Sequence, residues 1–511
     1  MDETSGQLAI IPQASSHIEV SASRLKNRTC LLLVCLAAIT AYLPAMLGNY
    51  GYRDDYPELL EPIQGVRWIM RGMSSFGRPI QAVLIETTFR WAHTIENLAY
   101  IRMFIVAQIL VLAWLIYRHL LKYTASPIFS ATATIFIVTL PPFAFTAAFA
   151  TGVAVVPPAL LSYPAYLLII GVENWRSPMA WLRVAMGIIL LIAGLFTYQP
   201  PVLFCCFWFL VAALFGSWDW RTMLRKMILL MAAIGLASAL YMIGVKKFCP
   251  PAPRMDVNHD YLLKARWFLG YAIPNTFRFH LIEASYTIGV ISIVGIALTI
   301  LVFSHESRSM FWTKVLVIAL MIPMSFLPSL IAAESYSTYR SRTTLMPCAA
   351  LIMWYGLWLI GRSTEPMLRK VGWTAMIALA CAAPFKAAYI DYEYLIFPQS
   401  VEYALARSQL VSFDRSRQNT INVITSDWSM LWFPRSPEDF QWCFFDEFAS
   451  PTTLTPNEWG MARSLVTLAL YRVHPESFNT GVIMNLYPPN VDPPPDPSAV
   501  TVDMRMIRLF K

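Results

Sequence analysis

The chain has 511 residues, of which 57% are apolar and only 14% charged, and its mean hydropathy is +0.51. That composition excludes a disordered, collagen-like or disulfide-stapled secreted protein and places most of the chain in lipid, with 17 Trp, 23 Tyr and 30 Phe to supply interfacial aromatics. The formal charge of +8 is spread in small basic groups at the ends of apolar runs, which fits a membrane topology and argues against a nucleic-acid-binding surface.

Residues 1–28 are polar, include Arg24, Lys26 and Arg28, and read as a cytoplasmic tail. The run 29–47 is longer than a signal-peptide core and has no convincing small-residue cleavage site, so it is expected to stay as a first span. Ten further runs near the length needed to cross about 30 Å of hydrocarbon lie at 100–121, 128–149, 151–171, 183–199, 201–217, 227–245, 285–303, 312–332, 343–361 and 371–389. The expected fold is a polytopic α-helical membrane domain of about eleven spans over 29–389, followed by a C-terminal segment, 390–511, of different character.

With the N-terminus inside, the short loops on that side hold Arg118 and Lys122, Arg176 and Arg183, Arg221, Arg225 and Lys226, Arg308 and Lys314, and Arg362, Arg369 and Lys370. All are basic, as the positive-inside bias requires. The connections near 150 and 200 on the other side carry no Lys or Arg, and 333–342 carries only Arg340 and Arg342. This orientation puts the loops 48–99 and 246–284 and the whole of 390–511 outside. Pro141-Pro142, Pro157-Pro158, Pro200-Pro201 and Pro250-Pro251 fall at the outer ends of spans, where broken helices would line an outward-facing cavity.

The first outer loop opens Gly48-Asn49-Tyr50-Gly51-Tyr52-Arg53-Asp54-Asp55-Tyr56-Pro57, and Leu59, Ile63, Val66 and Met70 then follow helical spacing. A second amphipathic helix is expected after Gly77-Arg78-Pro79, as far as about Ile95, so that two surface helices form a shelf over the cavity. Adjacent Asp side chains point in different directions, so one of Asp54 and Asp55 is a candidate base and the other a support. The rings of Tyr50, Tyr52 and Tyr56 can pack on sugar faces, and Arg78 can hold a phosphate.

The C-terminal segment reads as a small soluble α/β domain. Val401, Ala404, Leu405 and Ser408 follow helical spacing; Thr455-Pro456-Asn457-Glu458 is a capping box that opens a helix to about Tyr471; Ile421–Ile424 and the alternation from Val500 to Met506 read as strands. Pro488-Pro489 and Pro493-Pro494-Pro495 form a stiff connector before the last strand.

A first span, an acidic pair in the first outer loop, two surface helices, many further spans and an outer C-terminal domain together resemble the GT-C superfamily of integral-membrane glycosyltransferases. Asp54-Asp55 with Gly77-Arg78-Pro79 resembles, more narrowly, the bacterial glucosyltransferases that convert O-antigen serotype. Tyr198-Gln199 is similar to a Tyr-Gln pair of that group, and Tyr339-Arg340 to its late Arg. The resemblance implies a multi-pass protein of the bacterial inner membrane, with its C-terminus in the periplasm. It also implies inverting transfer of a sugar from a polyprenyl-phosphate donor to a cell-envelope glycan or lipid-linked acceptor. Asp54 or Asp55 would take the acceptor's proton, Arg78, Arg340 and Arg342 would hold the donor phosphate, and Tyr52, Tyr56, Tyr198 and Gln199 would contact substrate. Lys246, Lys247 and Arg266 are weaker phosphate candidates.

Glu334 could join an Asp in holding a divalent cation, as in metal-dependent relatives, while His93, His259 and His280 form no recognisable metal box. Six cysteines lie in apolar runs; Cys249 and Cys443 lie in polar segments and could pair in an oxidising compartment. Two rival readings are a transporter or lipid flippase, against which stand the few ionisable residues in mid-span and the absence of a repeated half, and a noncatalytic envelope-assembly factor.

Overall fold

A computed structural model describes residues 13–64, 68–174, 176–250, 257–282, 284–304, 306–335, 337–425, 459–475, 482–488 and 490–506. The first crossing occupies Leu25–Leu47 of α1 (Gln13–Leu47). The loop after it then folds into α2 (Asp55–Gln64), α3 (Trp68–Ser75) and α4 (Pro79–Ala92), with 65–67 outside the described residues. The helices α5 (Leu98–Thr124), α6 (Pro127–Val138), α7 (Pro141–Ala148), α8 (Val156–Ile170) and α9 (Pro178–Thr197) follow, with a 3-10 turn at Ala150–Ala154. Next come α10 (Gln199–Val202), α11 (Phe204–Phe215), α12 (Trp220–Phe248), α13 (Tyr261–Trp267), α14 (Ile273–Thr276) and α15 (Tyr286–Phe303). The bundle closes with α16 (Arg308–Met324), α17 (Leu327–Ile331), α18 (Leu345–Gly361) and α19 (Pro366–Ile390).

The helix starts follow from local chemistry. Ser126 and Ser177 accept hydrogen bonds from the backbone N–H groups of Phe129 (3.4 Å) and Met179 (3.3 Å), and each is followed by a proline at the first helical position. Asp219 caps α12 through the N–H groups of Arg221 (3.1 Å) and Thr222 (3.2 Å).

Among the described residues, seven helices are long and apolar enough to cross a membrane, or eight if α6 and α7, bent by 56°, form one span. The protein is a polytopic helical membrane protein. The expected runs at 201–217, 312–332 and 343–361 fold as shorter helices, Gln199–Phe215, α16 and α18. Their position explains an all-round apolar composition. Every residue of α11 from Phe204 to Leu214 is buried, as are those of α6 from Phe129 to Val138, so α6, α11 and most of α18 form the centre of the bundle. By contrast, Gly289 is the one buried residue of α15, which packs on α18 through one face while Ile291, Val294, Leu298 and Leu301 are exposed.

The helix of α19 does not stop at 390, where a domain boundary was expected. It passes through a π-turn at Asp391–Ile396 into α20 (Phe397–Leu410). Beyond it, β1 (Thr420–Ile424), β2 (Ile483–Tyr487) and β3 (Ala499–Asp503) form a parallel sheet in the order β2-β1-β3, and α21 (Trp459–Val473) packs against α20. Central β1 is buried along its whole length, as a doubly covered parallel strand should be. The strands expected at 421–424 and from 500 are present, β2 was not foreseen, and the capping box at 455–458 and Cys443 lie outside the described residues.

A Cβ on Gly289 would stand 2.0 Å from the carbonyl oxygen of Pro274, so α15 reaches α14 only because this residue has no side chain. Gly289→Val is expected to destabilise the protein by about 1–3 kcal/mol, the usual range for overpacking, read as a lower midpoint of thermal unfolding in detergent. An unchanged midpoint would show that this contact does not hold α15.

Candidate functional site

The site begins with a buried cation. Arg102 of α5 is fully enclosed, lies over the Tyr50 ring at 3.6 Å, and donates to the carbonyl oxygens of Gly48 (3.0 Å) and Tyr50. Its remaining charge faces the Asp55 carboxylate at 4.0 Å. Asp55 is also fully buried and accepts from the backbone N–H groups of Tyr52 (3.0 Å), Ala150 (3.3 Å) and Thr151 (3.1 Å). Burial pushes the Asp55 carboxyl up to about 7, while Arg102 and the three N–H groups oppose the shift. Asp55 thus ties the loop after α1 to the 3-10 turn between α7 and α8.

Asp54, its neighbour, faces the other way, into a cavity of about 540 Å³. Here its carboxylate meets Arg340 at 3.9 Å, and both side chains are partly exposed. The Arg340 guanidinium also lies 5.3 Å from the Phe145 ring and 5.5 Å from that of Phe149, and Tyr52 packs edge-on against the same two rings. A third charge enters from the start of α4. Arg78 donates from Nε to Gln199 Oε1 at 2.8 Å and stacks on Tyr198 at 4.5 Å. Gln199 donates in turn to the Tyr241 hydroxyl (2.6 Å), which donates to the Gly77 carbonyl (3.3 Å). Gly77 has φ 73°, in the left-handed region, and a Cβ there would stand 2.4 Å from the Tyr241 oxygen, so the turn before Arg78 requires glycine.

An adjoining chamber of about 260 Å³ shares Phe76, Arg78, Tyr198 and Arg340 with the first. Its wall is mainly apolar, including Leu195, Leu203, Met242, Leu327, Pro328 and Ile331, with Glu334 at the edge. Two arginines, Arg78 and Arg340, therefore stand where the two chambers meet, while Arg53, Asp54, Glu58 and Glu61 line the larger one alone. Residues at the helix breaks, such as Phe149, Thr151, Tyr198 and Gln199, line these spaces, in keeping with the expectation from the proline pairs.

Of the residues expected at the site, Asp54, Arg78, Arg340, Tyr52, Tyr198 and Gln199 come together around the cavity. Three lie elsewhere. Asp55 is the buried anchor just described. Arg342 is buried, donates to the Ser337 hydroxyl (2.9 Å) and the Asn275 carbonyl (3.2 Å), and holds the chain before α18. Tyr56 is buried and does not line the cavity. Lys246, Lys247 and Arg266 are exposed away from it.

Sequence reasoning missed Glu58, one helical turn after Asp54 on α2, which lines the cavity and is only 5% exposed. Burial, then the charges of Asp54, Asp55 and Glu61, push its carboxyl well above the usual range, with Arg340 opposing. The i, i+4 spacing from Asp54 was the available signal. Gln81 and Thr151 were also missed and also line the cavity.

Among the described residues, no group of three or more His, Cys, Asp or Glu is placed to hold a metal ion. His280 is buried, with Nε2 2.9 Å from the Thr139 carbonyl, and burial pushes its pKa down to about 4, so it is a neutral packing group. Compared with models of protein families, with curated proteins and with solved structures, the chain matches none.

The two aspartates should separate experimentally. Asp55→Ala leaves Arg102 enclosed without its anion and is expected to cost about 3–5 kcal/mol, seen as a large drop in the thermal midpoint of the purified protein. Asp54→Asn is expected to change stability by less than about 1 kcal/mol, since its ion pair is partly exposed. Equal losses would contradict the assignment of the anchor to Asp55.

Proposed function

We propose that the protein is an inverting glycosyltransferase of the bacterial inner membrane, moving a sugar from a polyprenyl-phosphate carrier to a glycan or lipid-linked acceptor on the outer face. The observation that carries this reading is a polar cavity in which the Asp54 carboxylate meets Arg340, and which shares Arg340 and Arg78 with an adjoining apolar chamber. The positive-inside pattern supports a cytoplasmic N-terminus and a periplasmic C-terminal α/β domain. The long helices, the bent pair and the three shorter helices together support eleven crossings.

In this reading the carrier's apolar chain lies toward the smaller chamber and its phosphate against Arg78 and Arg340. The acceptor hydroxyl attacks the anomeric carbon from the side opposite the phosphate, a new C–O bond forms, and the old one breaks with its electron pair going to the phosphate oxygen. The proton of the hydroxyl passes to Asp54, a contribution of roughly 10²–10⁴-fold for a positioned base. The guanidinium groups stabilise the charge that gathers on the leaving phosphate. Arg340 lies between base and phosphate, and can exchange its contact with Asp54 for the incoming anion.

Asp54→Asn is expected to lower sugar transfer in isolated membranes by roughly 10²–10⁴-fold with normal insertion. Arg78→Gln, which removes the charge but keeps a polar side chain, is expected to lower it by at least about tenfold. Transfer at the wild-type rate by both variants would overturn the proposal.

A further inference from the structure

Among the residues that line the Asp54 cavity, Glu58, Gln81 and Thr151 each carry a buried polar atom, Oε2, Oε1 and the hydroxyl respectively, with no hydrogen-bond partner among the described residues. Their residues are 5%, 6% and 4% exposed, and they come from three different elements, α2, α4 and the 3-10 turn before α8. Buried polar groups in folded proteins are nearly always paired, because an unpaired one carries a desolvation penalty that nothing offsets. Three of them around one cavity are best explained by a ligand that supplies the missing partners. Such a ligand must offer several donors and acceptors within a small volume, carry no charge that would clash with the nearby carboxylates, and leave Asp54 and the guanidinium groups free. A sugar ring, with a hydroxyl on most of its carbons, has those properties.

We propose that Glu58, Gln81 and Thr151 form a hydroxyl-recognition wall that reads the sugar ring held in the Asp54 cavity. Gln81 Oε1 accepts from one ring hydroxyl, the Thr151 hydroxyl exchanges a hydrogen bond with a second, and the free oxygen of Glu58 pairs with a third. Burial and the neighbouring carboxylates favour the neutral form of Glu58, which can both donate and accept. These residues are specificity-determining groups and take no part in proton transfer. The inference deepens the glycosyltransferase reading and rests on it for the identity of the ring, which can belong to the donor or to the acceptor.

The test uses the full-length protein in detergent with Thr151→Val, Gln81→Met and Glu58→Gln. Thr151→Val keeps the backbone N–H that Asp55 needs. If the wall exists to meet a ligand, removing an unpaired oxygen leaves the thermal midpoint of the unliganded protein unchanged or higher. Thr151→Val and Gln81→Met each raise the KM of one substrate about tenfold, with kcat changed less. Glu58→Gln stays within about threefold of wild type, since an amide can also donate and accept, whereas Glu58→Ala loses at least tenfold. A KM effect confined to the carrier-linked sugar assigns the ring to the donor, and one confined to the acceptor assigns it there.

Binding is measured separately, as the shift in unfolding temperature caused by undecaprenyl-phosphate-linked glucose, galactose, mannose and N-acetylglucosamine. A wild-type protein that binds one of these and loses the shift in Thr151→Val, yet transfers no sugar, supports the wall and overturns the transferase reading. A wild-type protein that transfers sugar with KM values unmoved by all the substitutions overturns the wall alone, as does a midpoint that falls in parallel with activity. A protein that neither binds nor transfers any of the four overturns both.

Discussion

A guanidinium enclosed in a helical membrane protein must find carbonyls and an anion, because nothing else around it can offset the loss of water. Arg102 finds all of them in the segment after α1: Gly48, Tyr50 and Asp55. Asp55 then draws in the N–H groups of Ala150 and Thr151, so that the loop after the first span and the break between two later helices are held by one network. With Asp55 held inward, the adjacent residue must face outward. The orientation of Asp54 toward the cavity is thus a consequence of how the chain neutralises a buried arginine one helix away.

The cavity itself depends on helices that stop or bend within the bundle. Pro141-Pro142 opens α7 after the bend from α6, and Pro200-Pro201 lies in the short α10, between α9 and α11. Breaks within spans are tolerated where protein or a wet space covers them, and here the short helix α7 and its end supply the aromatic wall of Phe145 and Phe149, and the break between α9 and α10 supplies the Tyr198-Gln199 platform under Arg78. Packing and recognition share residues at that platform. Gln199 and Tyr241 hold Arg78 and the Gly77 turn in place, and Tyr198 carries the arginine's flat face.

Much of this was legible in the sequence, for identifiable reasons. Long apolar runs have one inexpensive solution in lipid, and seven of them are found as long helices. The same composition suits a helix buried on all sides, so α11 and α18 read as spans of ordinary length although they are shorter and lie at the bundle centre. The Gly77-Arg78-Pro79 and Tyr198-Gln199 motifs, 121 residues apart at Arg78 and Gln199, do meet. What could not be read was direction. Asp54 and Asp55 are chemically identical neighbours, and only Arg102, 47 positions beyond Asp55 and surrounded by apolar residues, distinguishes them. Arg340 and Arg342 differ likewise by which faces the cavity and which is consumed by Ser337 and Asn275. Glu58 was readable from helical spacing but was obscured by the more prominent acidic pair.

The proposed sugar transfer needs the Asp54 carboxylate, turned to the cavity by the Arg102 network, and the two arginines Arg78 and Arg340. Its most direct test is the intact mass of the envelope glycans and lipid-linked intermediates of cells with and without the protein. An added mass of one sugar residue per acceptor unit, present only with the protein, is the expected result. Identical glycan masses in both, with the protein inserted and intact, would contradict it.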